Sequence, residues 1–273
     1  MNYKIVASDL DGTLLNNNSD VSDKNISAIR EMCENDVLFA PSTGRTFSEI
    51  PDKITDIEGI RYFIYSNGAV LYDRYENKKY FSCIDNKQLK TIYDVLSGYE
   101  VHISIRHNGQ LFVDASLHTE QDFKKCNLSE PHRTVVMKYG ILTSDFKNVT
   151  STFDNTEAVS VFFADYNNKL KCEELLHKHT ELNLTGADKF NLEILSADAG
   201  KGNCIKKLAD ITDVDISQTI AVGDSENDIS ALSVAGTGLA VSNACDSLKS
   251  AADKIICSNE ENVADYIMQN YIK

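Results

Sequence analysis

Short apolar runs, each too brief for a helix and each ending abruptly in polar chemistry, most restrict what this chain can fold into. Lys4-Ile5-Val6-Ala7-Ser8 stops at Asp9, and Val37-Leu38-Phe39-Ala40 leads into Ser42-Thr43-Gly44-Arg45. Thr219-Ile220-Ala221-Val222 meets Gly223-Asp224, and Gly238-Leu239-Ala240-Val241 and Lys254-Ile255-Ile256 continue the series. Between such runs the spacing is helical: Ile26, Ile29, Met32 and Cys33 share a face within residues 22–35, and 201–209 and 227–235 read the same way. Continuous apolar strands alternating with amphipathic helices predict an α/β fold, a Rossmann-like parallel sheet covered on both faces. Residues 62–65 and 69–72, separated by Asn67-Gly68, predict a hairpin.

The middle of the chain, 84–186, reads differently. Val101-His102-Ile103-Ser104-Ile105 and Gln110-Leu111-Phe112-Val113 flank a turn-like His107-Asn108-Gly109. Ser160-Val161-Phe162-Phe163 predicts a further strand, and residues 169–178 a helix. No acidic pair closes a strand here. The expectation is an inserted α+β cap domain over 84–186, leaving a discontinuous core of 1–83 and 187–273. A length of 273 residues accommodates two domains at roughly 100–200 residues each.

A formal net charge of -14 argues against broad nucleic-acid binding, which needs a basic face. It leaves open a small phosphorylated ligand held by a few cations, a metal and backbone amides. No apolar run approaches the roughly 20 residues of a membrane-spanning helix, and Asp9 and Asp11 come too early for a signal peptide. The seven cysteines are scattered, odd in number and free of any C-x-x-C spacing. They read as reduced thiols, and the expected location is cytoplasmic. No Gly-x-Gly-x-x-Gly follows the first strand, which excludes a Rossmann dehydrogenase.

Ligands of open α/β sheets bind beyond the carboxyl ends of the strands. There this chain carries Asp9-Leu10-Asp11-Gly12-Thr13, Ser42-Thr43-Gly44-Arg45, Lys201, and Gly223-Asp224-Ser225-Glu226-Asn227-Asp228. Asp9 and Asp11, two apart, can lean to one side of the sheet, and with Asp224 they suit a hard cation such as Mg2+. Taken alone, Asp11-Gly12-Thr13 is equally a polar turn. Thr43-Gly44 offers a hydroxyl and amides at a helix start, either an anion site or an ordinary N-cap. Arg45 reads as a phosphate ligand or an exposed helix-start residue, and Lys201 as a phosphoryl clamp or a surface lysine. Asp224 and Asp228, four apart, read as a metal ligand with its support or as a capping cluster.

All four segments in this order resemble the haloacid dehalogenase superfamily of phosphohydrolases. The first motif stands as Asp9-Leu10-Asp11-Gly12-Thr13-Leu14, the second at Thr43, the third at Lys201, and the fourth as Gly223-Asp224-Ser225-Glu226-Asn227-Asp228. Ser66-Asn67-Gly68-Ala69 and Asn243-Ala244 narrow the resemblance to Cof-like phosphatases with the large type IIB cap. Gly200, Ser242 and Asn262 depart from the residues usual at their positions, and none is a catalytic group.

The resemblance implies Mg2+-dependent hydrolysis of a small phosphorylated metabolite through an aspartyl-phosphate. Asp9 would be the nucleophile, and Asp11 the acid for the leaving group and then the base for water. The ion would sit on the Asp9 carboxylate, the Asp11 backbone carbonyl and Asp224, with Asp228 behind them. Thr43, Lys201, Arg45, Asn227 and the amides of Leu10 and Gly44 would surround the phosphoryl group. Sugar phosphates, nucleotides, pyridoxal phosphate and flavin mononucleotide are the expected substrate classes, selected by a cap in which His102, Arg106, His107 and His132 are candidates. The alternatives are a phosphosugar mutase of the same superfamily and, from another class, an aspartyl-phosphate signalling receiver. A receiver needs about half this length.

Overall fold

The computed structural model describes residues 3–179, 181–186 and 189–272. Two compact units emerge, one of Met1–Arg45, Ile50–Tyr80 and Gly200–Lys273, the other of Thr46–Glu49 and Phe81–Ala199. Ahead of the long insertion come β1 (Ile5–Ser8), β2 (Leu38–Pro41), β3 (Tyr62–Tyr65), β4 (Val70–Asp73) and β5 (Lys78–Phe81). The insertion holds β6 (Val101–His107), β7 (Gln110–Asp114), β8 (Gly140–Thr143), β9 (Thr156–Phe163), β10 (Leu182–Thr185) and β11 (Asn191–Ser196). The chain then adds β12 (Thr219–Gly223), β13 (Thr237–Ala240) and β14 (Lys254–Ile255).

The first unit contains a five-stranded parallel sheet in the order β14-β13-β12-β1-β2. Ile5, Val6 and Ala7 of the central strand are buried, so both faces of β1 are covered, as its uninterrupted apolar run requires. Its register, Ile5 beside Thr219 on one side and Leu38 on the other, brings the carboxyl ends of β1, β2 and β12 into one row. Helix 23–34 starts where Ser22 accepts a hydrogen bond from the Asn25 amide at 3.1 Å. It packs against helix Val263–Tyr271. Asn262 takes the left-handed conformation (φ 61°), which asparagine tolerates. β3 and β4 form the expected hairpin, but its connection is the longer Ser66–Gly68 turn rather than a bare Asn-Gly pair.

The second unit is α+β. Its six-stranded sheet runs β10-β11-β9-β6-β7-β8, antiparallel except for the β7–β8 pair. Ile105, Val159, Val161, Phe163, Leu192 and Ile194 form a core with Leu89, Ile92, Leu96 and Leu176 of helices Asn86–Leu96 and Tyr166–Leu176. The expected boundary at 186/187 is corrected to Ala199, because β11 pairs with β9 and is buried along its length. The sequence pattern predicts no strand at β11, where Asn191 and Glu193 interrupt the apolar residues. Helix Asn86–Leu96 was equally unexpected, although its capping box was readable: Asp85 accepts from the Gln88 amide at 2.7 Å, and Gln88 returns the bond at 2.8 Å. No helix among the described residues is long and apolar enough to cross a membrane.

The cap candidates lie inside this unit. Arg106 is buried and donates to Glu193 at 2.6 Å, His107 stacks on Phe153 with ring centroids 4.2 Å apart, and His132 shares a hydrogen with Ser129 at 2.8 Å. His102 is buried edge-on to Phe123, with no partner for its Nε2. Burial, reinforced by His118, lowers its pKa from 6.5 to about 4. Between those values the unfolded chain takes up a proton that the folded chain refuses. Stability contributed by neutral His102 is therefore complete above pH 6.5 and is lost as pH falls towards 4, by about 3 kcal/mol. Denaturant unfolding of wild type and His102→Gln between pH 7 and 4.5 should show the variant losing distinctly less; parallel curves would contradict the assignment.

Candidate active site

Each parallel strand releases its chain at the same edge of the sheet, and the side chains there converge. The Asp9 amide donates to the Val222 carbonyl at 2.9 Å, which pins the end of β1 against β12. Beyond it, Leu10 and Leu14 are buried and anchor a tight coil that turns at Gly12 (φ 74°). A Cβ at Gly12 would lie 2.5 Å from an Asp224 carboxylate oxygen, so only glycine admits this approach. Thr13 donates to the other Asp224 oxygen at 3.4 Å, and Asn243 donates to the Gly12 carbonyl at 2.7 Å.

Lys201 opens helix Lys201–Thr212, and its side chain is 1% exposed. Its ammonium donates to Asp9 at 2.7 Å and to Asp228 at 2.6 Å. The other Asp228 oxygen accepts the amides of Asp224 and Ser225 at 3.1 and 3.2 Å. Asp228 therefore both supports Lys201 and caps its own turn.

Ligand oxygens of Asp9, Asp224 and Asp228 lie within 4.8 Å of one another. Burial drives the Asp9 carboxyl well above its ordinary range, Lys201 opposing and Asp228 and Asp224 adding to the rise. Burial also lifts Asp224 to about 6, with Asp228 reinforcing. Burial pulls Lys201 down, but Asp228 and Asp9 outweigh it and the ammonium is held well above its usual range. One ammonium cannot neutralise three clustered carboxylates. The donor set is all oxygen, compact and short of positive charge, and so fits a hard divalent cation. Both Asp228 oxygens are engaged by protein donors, so Asp9 and Asp224 would be the carboxylate ligands of such an ion.

Asp11 is the exposed member of the Asp9–Asp11 pair. Its side chain is 54% exposed and is gripped by Arg45, Nε to Oδ2 at 2.8 Å and Nη2 to Oδ1 at 2.6 Å. Asp9 is buried, so the two carboxyls of this strand end differ in their exposure to water. Arg45 is thus an ion-pair partner here. Thr43 is buried, yet it does not open a helix: its hydroxyl accepts the Arg45 amide at 3.1 Å, and the next helical turn is Phe47–Glu49. Asn227 donates to Asn67 Oδ1 at 3.0 Å and accepts from Ser225 at 2.7 Å. The sequence pattern gives Thr13 and Asn67 no separate role, although both stand inside the motif strings and touch Asp224 and Asn227.

The model for haloacid dehalogenase-like hydrolases matches residues 6–267. The chain belongs to that family. Among its relatives, the 5-amino-6-(5-phospho-D-ribitylamino)uracil phosphatase YwtE of Bacillus subtilis (strain 168) is 30% identical over 98% of each chain. A solved haloacid dehalogenase-like hydrolase from B. subtilis superposes with a TM-score of 0.81 at 25% identity, covering 98% of this chain and 100% of that one. A sugar phosphatase of haloacid dehalogenase subclass IIB shares the fold, with a TM-score of 0.79 at 17% identity and 98% of both chains covered. In this hydrolase the four motif segments therefore occupy the row of strand ends formed by β1, β2 and β12, together with the start of helix Lys201–Thr212.

Proposed function

We propose that this hydrolase is a Mg2+-dependent phosphatase of small phosphorylated metabolites, working through an aspartyl-phosphate on Asp9. The observation that carries the reading is the buried Asp9 carboxylate, held by Lys201 at 2.7 Å within the acidic cluster. An isolated surface carboxylate would have neither the fixed direction nor the matched cation. The named phosphatase activity of a relative 30% identical along the whole chain supports the same chemistry.

Asp9 attacks phosphorus, forming an oxygen–phosphorus bond as the ester oxygen leaves. Asp11, outside the buried cluster and accessible, gives that oxygen its proton and then removes one from the water that attacks phosphorus. The Asp9–phosphorus bond breaks and inorganic phosphate is released. Lys201, the Thr43 hydroxyl and the amides at Leu10 and Gly44 hold the phosphoryl oxygens, with Asn227 beside them; Arg45 joins them when it gives up Asp11. Mg2+ on the carboxylates of Asp9 and Asp224 and the Asp11 carbonyl would supply the positive charge that lets two anions approach. The free thiols support a cytoplasmic setting.

A screen of sugar phosphates, nucleotides, pyridoxal phosphate, flavin mononucleotide and the phosphoribitylamino compound tests the reading. At least one ester should be hydrolysed with Mg2+, with turnover falling about 100-fold or more in chelator and returning on Mg2+ addition. Ca2+, with longer bonds and more ligands, should restore little. Chelator-resistant turnover would rule out the metal site, and transfer of the phosphoryl group back to substrate would mean a mutase.

A further inference from the structure

The turn Ser66–Gly68 between β3 and β4 is strained in a way that a hairpin does not need. Ser66, Asn67 and Gly68 are all left-handed, with φ of 50°, 53° and 82°. Consecutive non-glycine residues in that region persist only where surrounding structure imposes them, and they concentrate at functional sites. Here the surroundings are three of the four motif segments. The Asn67 amide donates to the Thr43 carbonyl at 3.0 Å, and the Ser66 amide to the Arg45 carbonyl at 2.8 Å. The Asn67 side-chain oxygen accepts from Asn227 at 3.0 Å. A Cβ at Gly44 would lie 3.0 Å from that same oxygen, so the amide lies across the Gly44 backbone. At Gly68 a Cβ would stand 2.3 Å from the Gly200 carbonyl carbon and 2.7 Å from the Lys201 nitrogen. The Gly68 carbonyl also accepts from the Cys204 thiol, one turn along Lys201's helix, at 3.2 Å.

We propose that Asn67 is a positioning residue that fixes the Thr43-Gly44 backbone and Asn227 at one spacing around the phosphoryl group, while Gly68 seats the start of Lys201's helix against the same turn. The inference rests on the phosphatase reading but concerns residues to which that reading gives no role. Asparagine suits the task because it tolerates the left-handed backbone and presents an acceptor at short reach. Its contribution is geometric. Small displacements of groups around a transferring phosphoryl are costly because positioning supplies most of the catalysis.

Asn67→Gly keeps the left-handed turn at ease and deletes only the side chain. With p-nitrophenyl phosphate, kcat should fall about tenfold, and inorganic phosphate, measured by calorimetry, should bind about tenfold more weakly. Asn77→Gly, the same change at another left-handed asparagine (φ 50°) in an exposed turn, should alter neither. Combined with Asn227→Ala, the Asn67→Gly loss should not add in full, because both deletions remove one contact. Asn67→Ser, uncharged and too short to reach Asn227, should weaken phosphate binding in the same way; it carries the test if Asn67→Gly does not fold. Wild-type phosphate affinity in the folded variants, full additivity with Asn227→Ala, or an equal loss in Asn77→Gly would overturn the proposal. Phosphate binding needs no turnover. A wild-type chain that hydrolyses no ester, yet loses phosphate affinity on changing Asn67, would count against the phosphatase reading and for the positioning role.

Discussion

Asp9→Asn is expected to lower turnover by a factor on the order of 10⁴ or more while the protein stays folded. The amide matches the carboxylate in shape but cannot form the phosphoryl ester, and it is a poor ligand for a hard cation. Folding should survive because Lys201 keeps Asp228 at 2.6 Å, so the ammonium is not stranded. Ionised Asp9 is already disfavoured by burial and by the neighbouring Asp228 and Asp224, and a neutral amide relieves that cost. Stability without metal should therefore change by no more than about 1 kcal/mol, with no large loss. Steady-state assays beside thermal melts measure both halves. Turnover within about tenfold of wild type, in a preparation whose Asp9→Ala counterpart is inert, would remove the covalent mechanism.

Lys201→Ala is expected to be the more damaging change to the fold. It leaves Asp9, Asp224 and Asp228 together without their ammonium, and removing one partner of a buried ion pair costs about 3–5 kcal/mol. The contrast with Asp9→Asn follows from arithmetic of charge: one substitution subtracts a repelling carboxylate, the other subtracts the cation. The loss should shrink as pH falls from 7 towards 5. Lys201 opposes the upward shifts of Asp9 and Asp224, so without it both carboxyls take up protons at higher pH than they do beside the ammonium, and acid favours the variant's fold more than the wild type's. Mg2+ should restore part of the stability by replacing the missing charge. Urea titrations at several pH values, with and without Mg2+, would show this. Unchanged stability at neutral pH without metal would mean that the carboxylates are not ionised together.

Much of this arrangement was legible in the order of residues. Apolar runs at Ile5–Ser8 and Leu38–Pro41 encode buried parallel strands because both their faces must leave water, and the helical spacing after Ser22 encodes the crossover between them. From there the topology of parallel strands requires that Asp9, Thr43 and Asp224 emerge at one edge. Less was readable in the insertion. β11 carries Asn191 and Glu193 among its apolar residues, and such polar interruptions disguise a strand whose polar side chains find partners only in the folded sheet: Asn191 donates to Ser160 at 3.3 Å, and Glu193 accepts from Arg106 at 2.6 Å.

What the sequence determined by itself is the set of chemical groups and the strand ends that carry them, because short-range periodicity acts through neighbours a few residues away. Which groups meet was a tertiary decision. Lys201 reaches Asp9 across 192 positions, and no local pattern specifies that its ammonium will be shared with Asp228. The different surroundings of Asp9 and Asp11 were decided in the same way. Two carboxylates at one strand end are locally alike, but one is paired with Arg45 near solvent and the other is buried beside Lys201. Burial then raises Asp9 through desolvation and its neighbouring carboxylates, a shift that exists only after packing has removed the water.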